Sequence, residues 1–556
     1  MRKLRPFLII ILLVCLCTAG YAGYEYYKKL KPNEEVIPSG ELFDVAGNEA
    51  AIILNSSLAE EKGVFDSGII YLPLEWVNME LNNKFYWDET EHMLIYTFPD
   101  HCLYAGPDTC GSSGRLLLYE KGGRIYISSE LLAAYTKVNT RVYTDEEAPR
   151  IFIETMTEPY QTAEITRSDM LRTGESVKKR CIIPIAEGET VRIINDSWEG
   201  ASDIPKDAWV RVLTDSGYQG YFPRKYLGSR TTVTPFYNYE APEYASTHLD
   251  YPIILGWQQI NDKQQNSNVA KLLEGTTVNV ISPTWFSLRG NAGDYESLAD
   301  RSYVDEAHAM GLSVWALIDN FDSSVNSDKL FRSKAAREKL AASLIQDAEK
   351  YDLDGINIDF EQMPTAAGPH FIQFLREFSI LCRQEGIILS VDNANPAPHN
   401  LYYQRADQAE VVDYVINMGY DEHYAGSDAG SVSSFPFFKE GIDVSLSMVP
   451  AEKLIGGLPL YTRIWTVKGS DTTSKAVGLD AAAEWVSENN VSLTWDENCS
   501  QYTGSISTDS GTLSIWMEDA ESLAIKVQAI KEADLAGIAC WKLGLKSDGV
   551  WNVIRY

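Results

Sequence analysis

The sequence predicts a multidomain protein: a parallel (β/α)8 barrel over residues 245–556, preceded by an apolar N-terminal segment, an α+β unit and a small β-barrel. Three observations lead there. Beyond residue 245, short apolar runs alternate with amphipathic helical stretches, the rhythm of strands joined by crossover helices. Upstream, the runs are shorter, alternate in polarity and are broken by Gly turns, which suits small sheets. Within the barrel, Asp354-Gly-Ile-Asn-Ile-Asp-Phe-Glu361 alternates apolar and polar residues strictly, as a strand between a polar lumen and an outer helical layer must.

The chain opens Met1-Arg2-Lys3-Leu4-Arg5-Pro6, then runs apolar and uncharged from Phe7 to Gly23. Basic residues before an apolar stretch near the lower limit of a bilayer span signal export. Residues 1–24 are therefore expected to be a transmembrane anchor or a cleaved signal peptide. The remainder then lies outside the cytoplasm, tethered to the cell membrane or secreted to the cell wall. Residues 25–45, polar with Pro32 and Pro38, read as a linker.

Residues 46–155 hold short strands such as Ala51–Leu54, Ile69–Leu72 and Arg124–Ile127, two of them followed by short helices near Leu74–Leu81 and Ser129–Ala134. This repeated strand-then-helix pattern resembles the copper amine oxidase-like N-terminal stalk domain of bacterial surface proteins. It carries no His cluster, so no copper is expected. Residues 160–230 contain Trp-Val-Arg-Val at 209–212 and Gly-Tyr-Phe-Pro at 220–223, and resemble a bacterial SH3-like domain. Such a unit is either a binder of cell-wall peptide or a spacer.

With 78 acids against 48 bases the net charge is −30, which excludes a nucleic-acid partner, since that binding relies on basic patches. The 13 Trp and 31 Tyr suit stacking on sugar faces, though they are also ordinary core material. Of eight cysteines, Cys102 and Cys110 flank a short turn and could pair in an oxidising space, while Cys382 and Cys540 sit in apolar patterns as buried thiols. No Cys/His spacing suggests a metal, and no cofactor is expected.

In the barrel, eight runs read as strands: Pro252–Trp257, Thr277–Pro283, Leu312–Ile318, Gly355–Glu361, Ile387–Asp392, Tyr414–Met418, Leu454–Pro459 and Gly537–Trp541. The long stretch 466–515 before the last strand reads as an α+β insertion beside the cleft. In the fourth strand, Ile356, Ile358 and Phe360 point outward, and Asn357, Asp359 and Glu361 inward. Asp359 and Glu361 then have Cα atoms about 6.6 Å apart, with Glu361 at the carboxyl end where barrel enzymes keep their chemistry. Two carboxyls this close in a shielded site repel, so one keeps a proton and can serve as an acid.

This segment resembles the glycoside hydrolase family 18 signature Asp-Gly-x-Asp-x-Asp-x-Glu, with Asn357 where the family usually has Asp. The resemblance implies a TIM barrel N-acetylglucosaminidase of the cell-wall and spore branch, using the substrate's own acetamido oxygen as nucleophile. Glu361 would then be the general acid and Asp359 would orient the acetamido group. Asn357, unable to share a proton, is expected to donate its amide to the Asp359 carboxylate. Met418-Gly-Tyr420-Asp421 matches the family's Met-x-Tyr-Asp element, implying that Tyr420 donates to the acetamido oxygen and Asp421 contacts the sugar. Trp541 resembles the indole floor under the cleavage point. Trp285, Asn320, Asn393, His423 and Arg463 are weaker candidates near strand ends. The implied partner is an N-acetylglucosamine-containing polysaccharide, peptidoglycan before chitin. The rival reading is a sugar-binding barrel without catalysis.

Overall fold

The structure, a computed structural model, describes residues 5–145, 147–237, 239–545 and 549–556. The chain divides into two compact units, Met1–Phe85 with Ala105–Ala241, and Tyr86–Tyr104 with Pro242–Tyr556.

The first unit contains two seven-stranded sheets. In one, Glu49–Leu54 lies parallel to Arg150–Glu154 and antiparallel to Ser57–Asp66. The helices Leu74–Glu80 and Ser129–Tyr135 follow strands of this sheet, and the second is capped by the Ser128 hydroxyl accepting from the Leu131 N–H. The other sheet, built from strands between Tyr160 and Val233, is antiparallel, and its alternating apolar residues Val191, Val210, Val212 and Phe222 make its core.

One N-terminal expectation is corrected. Residues 33–45 are not a free linker: Ile37 donates its N–H to Cys181, and Phe43 is buried. The helix Arg5–Leu30 contains the expected anchor, except for residues 1–4, which lie outside the described residues. Among the described residues, however, no helix is long and apolar enough to cross a membrane. Cys102 and Cys110 are both free thiols, and Cys382 and Cys540 are buried.

The second unit is built on eight parallel strands: β1 (Ile253–Gln258), β2 (Val280–Arg289), β3 (Ser313–Asp319), β4 (Gly355–Asp359), β5 (Ile388–Ala394), β6 (Tyr414–Met418), β7 (Leu454–Pro459) and β8 (Gly537–Trp541). Each pairs with its neighbours in chain order, and β8 pairs with both β7 and β1, which closes the ring. Outward residues of the strands pack with helices such as Lys334–Tyr351 and Gly368–Glu385 in one apolar layer. Inside, Ile253, Leu255, Val280, Trp315, Ile388, Tyr414 and Ile455 fill the barrel beneath the carboxyl ends of the strands, so it is a packed core. Gly355 serves this packing, because a Cβ there would come within 2.8 Å of the Trp315 ring.

Two additions dress the barrel. Between β7 and β8, the chain forms a five-stranded sheet and the helix Leu479–Glu488, the expected insertion, beginning at Tyr461. The segment Tyr86–Tyr104, within the region read from sequence as stalk, belongs to the barrel unit. It is anchored by Asp88, fully buried and 3.0 Å from the equally buried Arg337, which also meets Glu377 at 2.8 Å.

Candidate active site

The site grows out of the alternation in β4. Asp354 pins the start of the strand by accepting the Val314 N–H at 2.7 Å and bonding His308 at 2.9 Å. Ile356, Ile358 and Phe360 join the outer apolar layer. Asn357 points inward, where its amide is held from three other strands. Its Oδ1 accepts from Trp257 Nε1 at 2.9 Å and Ser282 Oγ at 3.3 Å, and its Nδ2 donates to Ser390 Oγ at 3.0 Å and Asp392 Oδ1 at 2.8 Å. The expected bond from Asn357 to Asp359 is therefore corrected. Residues i and i+2 of one strand stand side by side, and the cross-strand acceptors on β5 take both amide hydrogens instead.

Asp359 is the last residue of the strand, and Glu361 lies two residues past its end rather than within it. Asn320, just beyond β3, clasps the Glu361 backbone from both sides: its Nδ2 donates to the carbonyl at 2.9 Å, and its Oδ1 accepts the N–H at 2.9 Å. Gln362 then adopts a left-handed conformation, at φ 48°.

Acids crowd this rim. Asp319, Asp359 and Asp392 occupy adjacent strands, with Asp319 paired in register to Asp359. Burial pushes the Asp359 carboxyl well above the usual range, and Asp392, Glu361 and Asp319 push it further. Burial likewise raises Asp392, against the hydrogen bond from Asn357. Glu361 is raised by burial first and by the charge of Asp421 second. Among the described residues, no base opposes these effects on the three, so each carboxyl holds a proton more firmly than an ordinary one.

Tyr420 follows β6 and packs on the inner apolar plug together with Trp541. Burial raises its phenol well above the usual range, and the carboxyls of Asp392, Asp359 and Glu361 act on it too, so its hydroxyl stays a donor among acids. Asp421, at φ 59°, accepts from the Tyr461 hydroxyl and lies 4.0 Å from Arg463. Both partners come from the insertion after β7. Met418 ends β6 on the inward side, in line with Tyr414 and Ile416. Trp541 ends β8 with its ring 6.0 Å from that of Trp257.

The barrel thus gathers Glu361, Asp359, Asn357, Tyr420, Asp421, Met418 and Trp541 at one end. Trp285 is corrected: it is 1% exposed, donates to Asn266 Oδ1 at 2.7 Å and packs edge-on to Tyr303 in the outer layer. Strand alternation is the cause: Val280 and Ser282 face inward, so Ile281 and Trp285 fall on the outward face of β2. Asn393 is also outside the site, paired with Gln408. His423 is tied to the Asp428 carbonyl of its own loop. Sequence reading missed Asp392, Asp319, Trp257, Ser282, Ser390 and Tyr461. For Ser390 and Asp392 the signal was present, since Leu389-Ser390-Val391-Asp392 alternates as β4 does.

Chemically, Glu361, whose carboxyl is raised by burial, can protonate a leaving group, and an ionised Asp359 two residues before it can stabilise a cation formed beside it. Among the described residues, no cluster of three His, Cys, Asp or Glu side chains could hold a metal ion.

The profile of the glycosyl hydrolases family 18 matches residues 259–545. A cortical fragment-lytic enzyme of Bacillus subtilis is 29% identical over 254 residues, covering 43% of this chain and 58% of its own length. The chain therefore spans less than two thirds of that relative. A class V chitinase of Lotus japonicus is 34% identical over 121 residues, 20% of this chain and 29% of its own length. Among solved structures, the Bacillus cereus spore cortex-lytic enzyme SleL shares the fold at a TM-score of 0.50 and 22% identity, covering 55% of this chain and 73% of that one.

Proposed function

Because the chain belongs to glycoside hydrolase family 18, we propose that it hydrolyses the β-1,4 bond after N-acetylglucosamine in peptidoglycan, with retention and by substrate-assisted catalysis. That family is a known exception to the two-carboxylate scheme. The observation that carries the reading is the Glu361–Asp359 pair at the carboxyl end of β4, both carboxyls raised by burial.

Glu361 protonates the glycosidic oxygen, and the C1–O bond breaks. The carbonyl oxygen of the acetamido group attacks C1 and forms an oxazolinium ion. Asp359 holds the acetamido N–H and balances its positive charge, and Tyr420 donates to the acetamido oxygen. Water then attacks C1, giving its proton to Glu361. Asp421 and Trp541 contact the sugar.

The names of the cortex-lytic relatives support peptidoglycan as the polymer. The chitinase relative favours chitin as the second reading. Such a wall substrate puts the action outside the cytoplasm, and the likeness of the N-terminal units to stalk and SH3-like domains fits spacers or wall-binding modules.

Mass spectrometry of products from purified vegetative peptidoglycan, spore cortex and chitin tests the reading. Fragments with N-acetylglucosamine at the reducing end from either wall polymer support it, and release from chitin alone moves the assignment to chitinase. A thiazoline mimic of the oxazolinium ion should inhibit competitively; an active enzyme indifferent to it would rule out substrate assistance.

A further inference from the structure

On the inward face of the strands, the buried oxygens Asp359 Oδ1 and Asp392 Oδ2 have no hydrogen-bond partner among the described residues. They belong to adjacent strands. In the β4–β5 pairing Ile358 stands opposite Val391, so the next residues along, Asp359 and Asp392, are side by side on the inward face. Neighbouring strands run about 4.8 Å apart, close enough for two carboxyls to touch. Asp359 is 6% exposed and Asp392 2%, and two anions cannot both be left so near each other out of water.

Other groups at the site are already committed. Both hydrogens of the Asn357 amide are used, on Ser390 and Asp392, and its oxygen takes Trp257 and Ser282. Asp319, on the other side of Asp359, accepts from Ser287 Oγ at 2.9 Å and the Phe321 N–H at 3.1 Å. The charged groups acting on the pair, Asp319 and Glu361, are themselves acids, and the Tyr420 phenol stays neutral beside them. Among the described residues there, nothing neutralises a second negative charge.

We propose that Asp392 shares a single proton with Asp359, and keeps it while Asp359 meets the acetamido group as an anion. This rests on the hydrolase reading above and assigns a positioning residue that the motif around β4 does not contain. In the empty site the proton bridges Asp392 Oδ2 and Asp359 Oδ1. When the sugar binds, its acetamido N–H takes over Asp359, and the proton stays on Asp392. No proton is consumed: the one delivered to the leaving group comes from Glu361 and returns to it from water. Asn357 fixes Asp392 through its Oδ1, which leaves Oδ2 free to face Asp359.

The test uses the full chain and two readouts. The first is the acid limb of the pH profile of kcat/KM, where protonation of the pair silences Asp359. An O–H from Asp392 favours the Asp359 anion more than an amide N–H does, and a methyl does not favour it at all. The limb should therefore move to higher pH by about one unit in Asp392→Asn, roughly tenfold in proton concentration, and further in Asp392→Ala. A purely structural role would lower the whole profile without moving the limb, and an unmoved limb in both variants overturns the proposal.

The second readout is independent of activity. In a Glu361→Gln background, infrared difference spectra at neutral pH should show that Asp359→Asn and Asp392→Asn each remove the same protonated-carboxyl band. A band that survives Asp392→Asn places the proton on Asp359 alone and overturns sharing. If the wild-type chain cuts none of the polymers, the hydrolase reading fails, while the infrared result still decides the proton pair.

Discussion

Removing the Asn320 side chain tests how Glu361 is positioned. Asn320 makes two hydrogen bonds to the Glu361 backbone, each 2.9 Å, one to the carbonyl and one to the N–H. Glu361 lies past the end of β4, so strand pairing does not hold it. Each such bond is worth about 0.5–1.5 kcal/mol net, and the two together about 1–3 kcal/mol. If that energy serves to keep the acid in its productive position, its loss lowers kcat by about 5- to 150-fold at 1.36 kcal/mol per factor of ten. Steady-state kinetics of Asn320→Ala on a soluble chromogenic N-acetylglucosamine oligosaccharide should show this fall in kcat, with KM within about twofold because no sugar contact is removed. Thermal unfolding measured on the same sample separates the alternatives. An unchanged kcat in a folded variant would refute the reasoning, and a lowered melting temperature with normal kcat would reduce the clasp to a structural role.

Three further outcomes are expected. Glu361→Gln should lower kcat by roughly 10²–10⁴-fold, the scale of losing a positioned proton donor, with unfolding unchanged; retained turnover would remove Glu361 from the acid role. Glu361 must be protonated to act, and burial and then Asp421 raise its pKa, so activity is lost as pH rises through that raised value. In Asp421→Asn the alkaline limb of kcat should therefore move to lower pH, and a fixed limb would show that Asp421 does not tune the acid. At the segment Tyr86–Tyr104, burial alone would raise the Asp88 carboxyl, but hydrogen bonds from Thr90 and Arg337 outweigh it and hold it below the usual range. Its contribution to stability is thus present at neutral pH and lost as pH falls through the lowered value. Asp88→Ala should destabilise the barrel unit by about 3 kcal/mol, the low end for breaking a buried pair because Glu377 still faces Arg337. Denaturant unfolding with no change in midpoint would contradict this.

Much of the barrel was legible because its signal is local. The alternation of Ile356, Ile358 and Phe360 with Asn357, Asp359 and Glu361 fixes which side chains face the helices and which face the lumen, whatever the rest of the chain does. The same is true of Tyr414–Met418, and of the apolar ends of β7 and β8. Trp285 shows where such reading stops. Its strand runs on past Pro283 to Arg289, and the alternation that faces Val280 and Ser282 inward turns the indole outward.

By itself, then, the amino-acid order determined the strands of the ring, the acidic file on the fourth of them, and the kinship of the motif. Only the closed ring decided what each inward group touches. Asn357 could have served Asp359, its neighbour in sequence, but instead gives its hydrogens to β5, and Asp392 became the buried companion of Asp359. The physical reason is that side-chain direction follows from the backbone repeat of a single strand. The partner of a buried polar atom depends on which strand lies alongside and in what register, and segments distant in the chain set that jointly.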